Sequence, residues 1–147
     1  PSTDALLQAA AVQAASGFLD QLTTHLAGIT DPVEAVTEGI ATAVERLPQD
    51  KHMGLLLGPE RAGVFSAEIT SDAALAFAGS MLRRFDVDWA AAGFGDDDLD
   101  ELAEHLLRII QSFVVDPGRP PRRGARLRRY VRRWVGGALA NHETVSG

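Results

Sequence analysis

Apolar residues along this chain recur at steps of three and four rather than two, the spacing of helices with one covered side. The first series, Leu7, Ala11, Ala14, Phe18, Leu22 and Leu26, predicts a helix from about Thr3 to Leu26 that Gly28 ends. Alanine fills its first half, so that half can approach a neighbour closely. Asp31-Pro32 is a cap followed by a first-turn proline. It opens a second helix to about Arg46, with Val33, Val36, Ile40, Val44 and Leu47 on one side and Pro48 as its stop. The short run Met53-Gly54-Leu55-Leu56-Leu57 is closed by Gly58-Pro59 and leads into a less regular stretch around Gly63, expected to be the least rigid part.

Thr70, Ser71 and Asp72 can cap a third long helix through Leu75, Phe77, Ala78, Met81, Leu82 and Phe85, continuing past Trp89 to Ala92, where Gly93-Phe94-Gly95 ends it. Asp96-Asp97-Asp98 then sets negative charge at a helix start, where the backbone dipole favours it. The helix that follows carries Leu99, Leu102, Leu106, Ile110, Phe113 and Val114, widened by Leu107 and Ile109. An apolar surface that broad needs partners on two sides, which predicts central placement or a subunit interface. Asp116-Pro117-Gly118-Arg119-Pro120-Pro121 reads as a stiff crossover. A last helix, about Arg122 to Ala140, bears Leu127, Tyr130, Val131, Trp134, Val135, Ala138 and Leu139 on one stripe and Arg122, Arg126, Arg129 and Arg133 on another.

The prediction is all-α, an antiparallel bundle of about six helices in a single domain over residues 1–147. The length suits one core, and 23 alanines with 17 leucines favour helix throughout. The absence of cysteine excludes disulfides, thiolate metal sites and thiol nucleophiles, and fits a cytoplasmic setting. No stretch is apolar enough to span a membrane, and Pro1-Ser2-Thr3-Asp4-Ala5 does not open a secretory signal. The net charge of −6 is uneven: residues 119–133 hold eight of the fourteen basic side chains and no acid. In an acidic protein this stretch reads as a solvated helix face, paired with the acidic run 96–104 of the same or a partner chain, rather than as a nucleic-acid surface.

Catalytic patterns are sparse. The residues three before His25, His52, His105 and His142 are Leu22, Gln49, Leu102 and Leu139, so the Glu-x-x-His pairs of a carboxylate-bridged di-metal bundle are absent. Gly93-x-Gly95 follows a helix and lacks the third glycine of a nucleotide loop. Glu101, Glu104 and His105 share one helical turn and are the weak candidate for an enzyme site; a solvated acidic helix start is the better reading. The remaining constellation is apolar: Phe18, Leu22, Met53, Leu57, Phe77, Met81, Phe85 and Trp89 bring flexible methionines and aromatics from separate helices towards a glycine-bounded segment. Each alone reads as core. Together they predict a ligand cavity, with His25 and His105 as candidate polar anchors.

The last third of the chain resembles the C-terminal region of TetR-family transcriptional regulators. The residues that carry the resemblance are Asp98-Leu99-Asp100-Glu101-Leu102-Ala103-Glu104-His105-Leu106-Leu107-Arg108-Ile109-Ile110-Gln111-Ser112-Phe113 and Arg126-Leu127-Arg128-Arg129-Tyr130-Val131. Asp86-Val87-Asp88-Trp89-Ala90-Ala91-Ala92-Gly93 looks like a stretch that recurs in actinobacterial members. Ser2-Thr3-Asp4-Ala5-Leu6-Leu7 is similar to the start of the linker helix after the family's DNA-binding head, with Thr3 where a lysine is usual. The helix-turn-helix head itself is missing from these residues, which therefore cannot dock in a major groove as that family does.

The resemblance implies a cytoplasmic, homodimeric, ligand-sensing and dimerisation domain of a repressor, without enzymatic activity, cofactor or metal, that responds to a small, largely apolar effector and reaches DNA only through the absent head. It further implies a four-helix dimer interface from the last two helices of each protomer, centred on Leu99, Leu102, Leu106, Ile110, Phe113, Leu127, Val131, Trp134 and Val135. On that reading Leu106→Arg leaves helicity intact and yields monomer. The alternative is a helical dimeric interaction module with a filled core and no ligand.

Overall fold

The computed structural model describes residues 3–50 and 71–141, and all regular structure among them is helical. The helices are α1 (Thr3–His25), α2 (Pro32–Arg46), α3 (Asp72–Arg84), α4 (Asp96–Val115) and α5 (Gly124–Val131). A short 3₁₀ turn, Leu47–Gln49, extends α2. Beyond α5 the backbone passes through a π-helical turn, Arg132–Gly136, into a closing α-turn, Gly137–Ala140, so that 124–140 forms one terminal rod. Among the described residues no helix is long and apolar enough to cross a membrane.

The starts of α2, α3, α4 and α5 are each capped by a nearby oxygen that takes an otherwise unpaired amide. The Asp31 carboxylate accepts from the Glu34 N–H at 2.9 Å, with Pro32 in the first turn. Ser71 Oγ accepts from the Ala74 N–H at 3.3 Å. Before α4 the Gly95 N–H donates to Asp98 at 2.9 Å, so one member of the aspartate run reaches back over the helix start. For α5 the cap comes from another helix: the Gly124 N–H donates to the Glu45 carboxylate of α2 at 2.8 Å. Gly28 leaves α1 at φ +86, a backbone conformation that favours glycine, and its N–H donates to Asp86 at 2.8 Å.

The centre of the bundle is α2, which packs against α1, α4 and the whole terminal rod. Ala35, Val36, Thr37, Gly39, Ile40, Ala41, Thr42 and Ala43 are all buried, around most of its circumference. The breadth of large apolar residues on α4 predicts either central placement or a subunit interface for that helix. The central place is taken by α2 for a steric reason: glycine, alanine and threonine on α2 let neighbours close in on several sides. Closeness is greatest at Gly136, where an added Cβ would lie 2.7 Å from Val33 Cγ1. The α3 and α4 helices form the second intimate pair.

The expected helix through Trp89 ends instead at Arg84. Phe85, Val87 and Trp89 alternate with Asp86 and Asp88, and all three apolar residues are buried while both acids are exposed. A helix would spread these residues round its axis; a step of two turns them inward together. Trp89 is then locked by its indole N–H, which donates to the Leu82 carbonyl at 2.7 Å, and by an edge-on contact with Phe94 at 5.4 Å between ring centroids.

Candidate functional site

Between α1, α2, α3 and α4 lies an apolar cavity of about 190 Å³. Ala15, Phe18, Leu19 and Leu22 face it from α1; Ala43 and Leu47 come from the end of α2; Ala74, Phe77, Ala78 and Met81 from α3; Leu107 and Ile110 from α4. Among the described residues no lining side chain is polar, so these walls offer dispersion and hydrophobic contact but no directional hydrogen bond from a side chain. An apolar cavity of about 150 Å³ in a helical protein holds benzene, which sets the scale of molecule that fits.

Four of the sequence-derived pocket residues, Phe18, Leu22, Phe77 and Met81, meet at this cavity. Phe85 and Trp89 do not: they pack with Phe94 in the core beside the 85–94 turn, because the chain leaves α3 before reaching them. His105 is exposed on α4, whose cavity face presents Leu107 and Ile110. His25 is drawn outward by charge. Arg46 donates to its Nδ1 at 3.3 Å, which leaves the ring proton on Nε2, 3.1 Å from Glu38 Oε1. Neither histidine is therefore a polar anchor of this cavity. Met53 and Leu57, together with His52 and His142, lie outside the described residues. The alanines that complete the lining escape a search for large side chains, although their small size is what leaves the space.

The interface expected from the resemblance is largely the protomer's own core. Leu99, Leu102, Leu106, Ile110, Leu127, Val131 and Val135 are all buried within the single chain. Their periodicity reports burial, and the cover comes from the same chain: α4 packs on α3 and α2, and the terminal rod packs on α2. Of that set only Phe113, half-buried, and Trp134, 64% exposed, keep surface. Phe113 stands edge-on to Tyr130, centroids 5.7 Å apart, and half-buried Ile109 lies one turn before it on α4. Arg122 stacks over Tyr130 at 4.4 Å and Arg133 over Trp134 at 5.0 Å.

Within the protomer, Arg128 and Arg132 of the terminal rod pair with α2 rather than with 96–104. Arg128 binds Glu38 through two parallel hydrogen bonds, at 2.7 and 2.9 Å, and reaches Glu45 at 3.1 Å. Arg132 binds Glu34 in the same forked way, at 2.8 and 3.0 Å. Glu34 and Glu38 are one turn apart, as are Arg128 and Arg132, so the two rows mesh as a ladder. The Arg128 hydrogen bond holds the Glu38 carboxyl down at about 2 against the opposing effect of burial, with His25 adding to the shift. Burial pushes Glu45 up, but the Gly124 amide and Arg128 outweigh it and leave its carboxyl below the usual range. The acidic run keeps more local partners: Arg83 bridges to Asp96 at 3.5 Å and Asp100 at 3.2 Å, and Glu104 takes Arg108 at 3.1 Å. Among the described residues no group of three histidine or carboxylate side chains is placed to hold a metal ion.

The fold and site define an all-helical bundle with an apolar cavity among four of its helices and an ion-pair ladder along its central one. No protein-family model, curated protein or solved structure matches the chain.

Proposed function

We propose that this chain is the ligand-sensing and dimerisation domain of a TetR-like transcriptional repressor of the cytoplasm, responding to a small, largely apolar effector. The observation that carries the reading is the cavity between α1, α2, α3 and α4, with wholly apolar side chains around a space fit for one small aromatic or short alkyl molecule. A ligand there touches α1 directly through Phe18, Leu19 and Leu22. In the resembling family the helix equivalent to α1 leads to the DNA-binding head, which these 147 residues do not contain. Differential binding to two positions of α1 would set the spacing of two such heads.

Dimerisation is assigned to the surface left over once the core is satisfied: Ile109 and Phe113 on α4, Tyr130 and Trp134 on the rod. The outer start of α4 is acidic, with Asp97 and Glu101 exposed, while Arg126, Arg129 and Arg133 are exposed on the rod. A twofold arrangement that crosses α4 of one protomer with the rod of the other sets opposite charges together around those aromatics.

The alternative, a helical dimeric interaction module without a ligand, draws on the modest size of the cavity. Thermal unfolding with toluene as probe separates the two. The sensor reading expects toluene to raise the Tm of the wild-type chain by several degrees, since a ligand at a hundred times its Kd adds about 2.7 kcal/mol, and expects no rise in Ala78→Leu, which fills the cavity. Equal response of both proteins, or none in either across a series of small arenes and alkanes, favours the interaction module.

A further inference from the structure

A second concavity, of about 560 Å³, lies at the same C-terminal end of α2 but takes different residues, where the 3₁₀ turn meets the end of α4 and the 116–123 crossover. Its size falls within the roughly 300–1,000 Å³ of small-molecule sites. Val44, Phe113 and Val114 give it apolar walls, and Pro48, Pro117 and Pro121 stiffen the backbone around them, so little ordering is required when a ligand arrives. Arg46, Arg122 and Arg123 supply its charge.

Those charges are not neutralised locally. The one acid in the lining, Glu45, is already engaged by Arg128 at 3.1 Å and by the Gly124 amide at 2.8 Å. Arg46 spends one donor on His25, Arg122 stacks on Tyr130, and none of Arg46, Arg122 and Arg123 has a carboxylate partner among the described residues. Three arginines in the lining of a groove with apolar walls, in a protein of net charge −6, form a local exception to the surrounding field.

We infer that this groove binds a small amphiphilic carboxylate, the carboxylate taken by the forked donors of Arg46 and Arg123 and the apolar body lying along Phe113, Val114 and the prolines. The inference is independent of the apolar cavity, which shares no residue with the groove.

The test is isothermal titration of the full chain with sodium octanoate and, separately, with 1-octanol, which has the same chain length without the charge. Octanoate is expected to bind at one site at least tenfold more tightly than octanol and to weaken with added salt. Arg46→Gln with Arg123→Gln, both exposed positions, should weaken octanoate at least tenfold at unchanged Tm, whereas Ala78→Leu should leave it unaltered. Equal affinity for octanoate and octanol, undiminished octanoate binding in the arginine variant, loss of octanoate binding in Ala78→Leu, or no octanoate binding at millimolar concentration would each overturn the proposal.

Discussion

Arg128 on the terminal rod holds Glu38 on the central helix in a forked pair, Nε to Oε2 at 2.7 Å and Nη2 to Oε1 at 2.9 Å, across ninety residues of sequence. Both side chains are about three-quarters covered, so the attraction is felt through less water than at an open surface. The same guanidinium reaches Glu45, whose carboxylate also caps α5. One arginine thereby ties the register, the capping and the charge of two helices together.

Removing that arginine leaves two carboxylates facing each other with reduced solvent. Arg128→Ala is expected to cost about 2 kcal/mol of unfolding free energy, between the values typical of exposed and of buried pairs. Arg128→Lys should recover only part of it, since an ammonium cannot make two parallel bonds. Urea unfolding followed by circular dichroism measures both; full recovery by lysine would show that charge alone, without the fork, holds the rod.

The depressed Glu38 carboxyl gives the stability a defined acid limit. The folded protein holds this group at about 2 against an ordinary 4.5, so in the interval between them the unfolded chain binds the extra proton. The contribution is complete above about pH 4.5 and fades as pH falls towards 2, with a full value on the order of 3 kcal/mol. Stability measured from pH 6 to 2 should drop steeply for the wild type, with Glu38→Gln flatter and lower at pH 6. Parallel curves for the two proteins would remove Glu38 from the acid response.

Gly136 is where the π-helical turn brings the rod against α2. An added Cβ would stand 2.7 Å from Val33 Cγ1, closer than packed atoms tolerate. Gly136→Ala is therefore expected to lose about 1–3 kcal/mol. Val33→Ala should restore most of that loss in the double variant, because it removes the atom in the way. Additive losses would mean the strain lies elsewhere.

Substitution at the buried and exposed apolar positions separates core from interface. Leu106, 4% exposed, is core in the single chain, so Leu106→Arg is expected to unfold the protein, in place of the intact monomer the resemblance implied. Trp134→Glu should keep its helicity and sediment as monomer. A folded monomer from Leu106→Arg, or an unaltered dimer from Trp134→Glu, would reverse this assignment.

Most of the helical architecture can be read in the residues. Gly28, Pro32, Pro48, Ser71 and the aspartates at 96–98 mark the ends of helices where the structure has them. The rest was hidden for physical reasons. Spacing reports which side of a helix is covered, but not whether the cover comes from the same chain or from a partner; hence Leu127 and Val131 looked like an interface while α2 lay over them. The step of two at Phe85, Val87 and Trp89 was visible but short, and the helical rhythm before it obscured the change. The ladder needed Glu34, Glu38 and Glu45 to be set against Arg128 and Arg132, a match between helices ninety residues apart that no local pattern announces. The cavity was legible only in its large members, since the alanines that open it have no signature.

The proposed sensing of a small apolar molecule by a dimer of this chain has two parts, ligand and partner copy. Native mass spectrometry of the gently purified protein tests both parts together, through subunit count and co-purified mass. The expected result is a dimer with one small apolar adduct per protomer, an adduct lost in Ala78→Leu while the dimer persists. A bare monomer that takes up neither a second copy nor a small arene would contradict it.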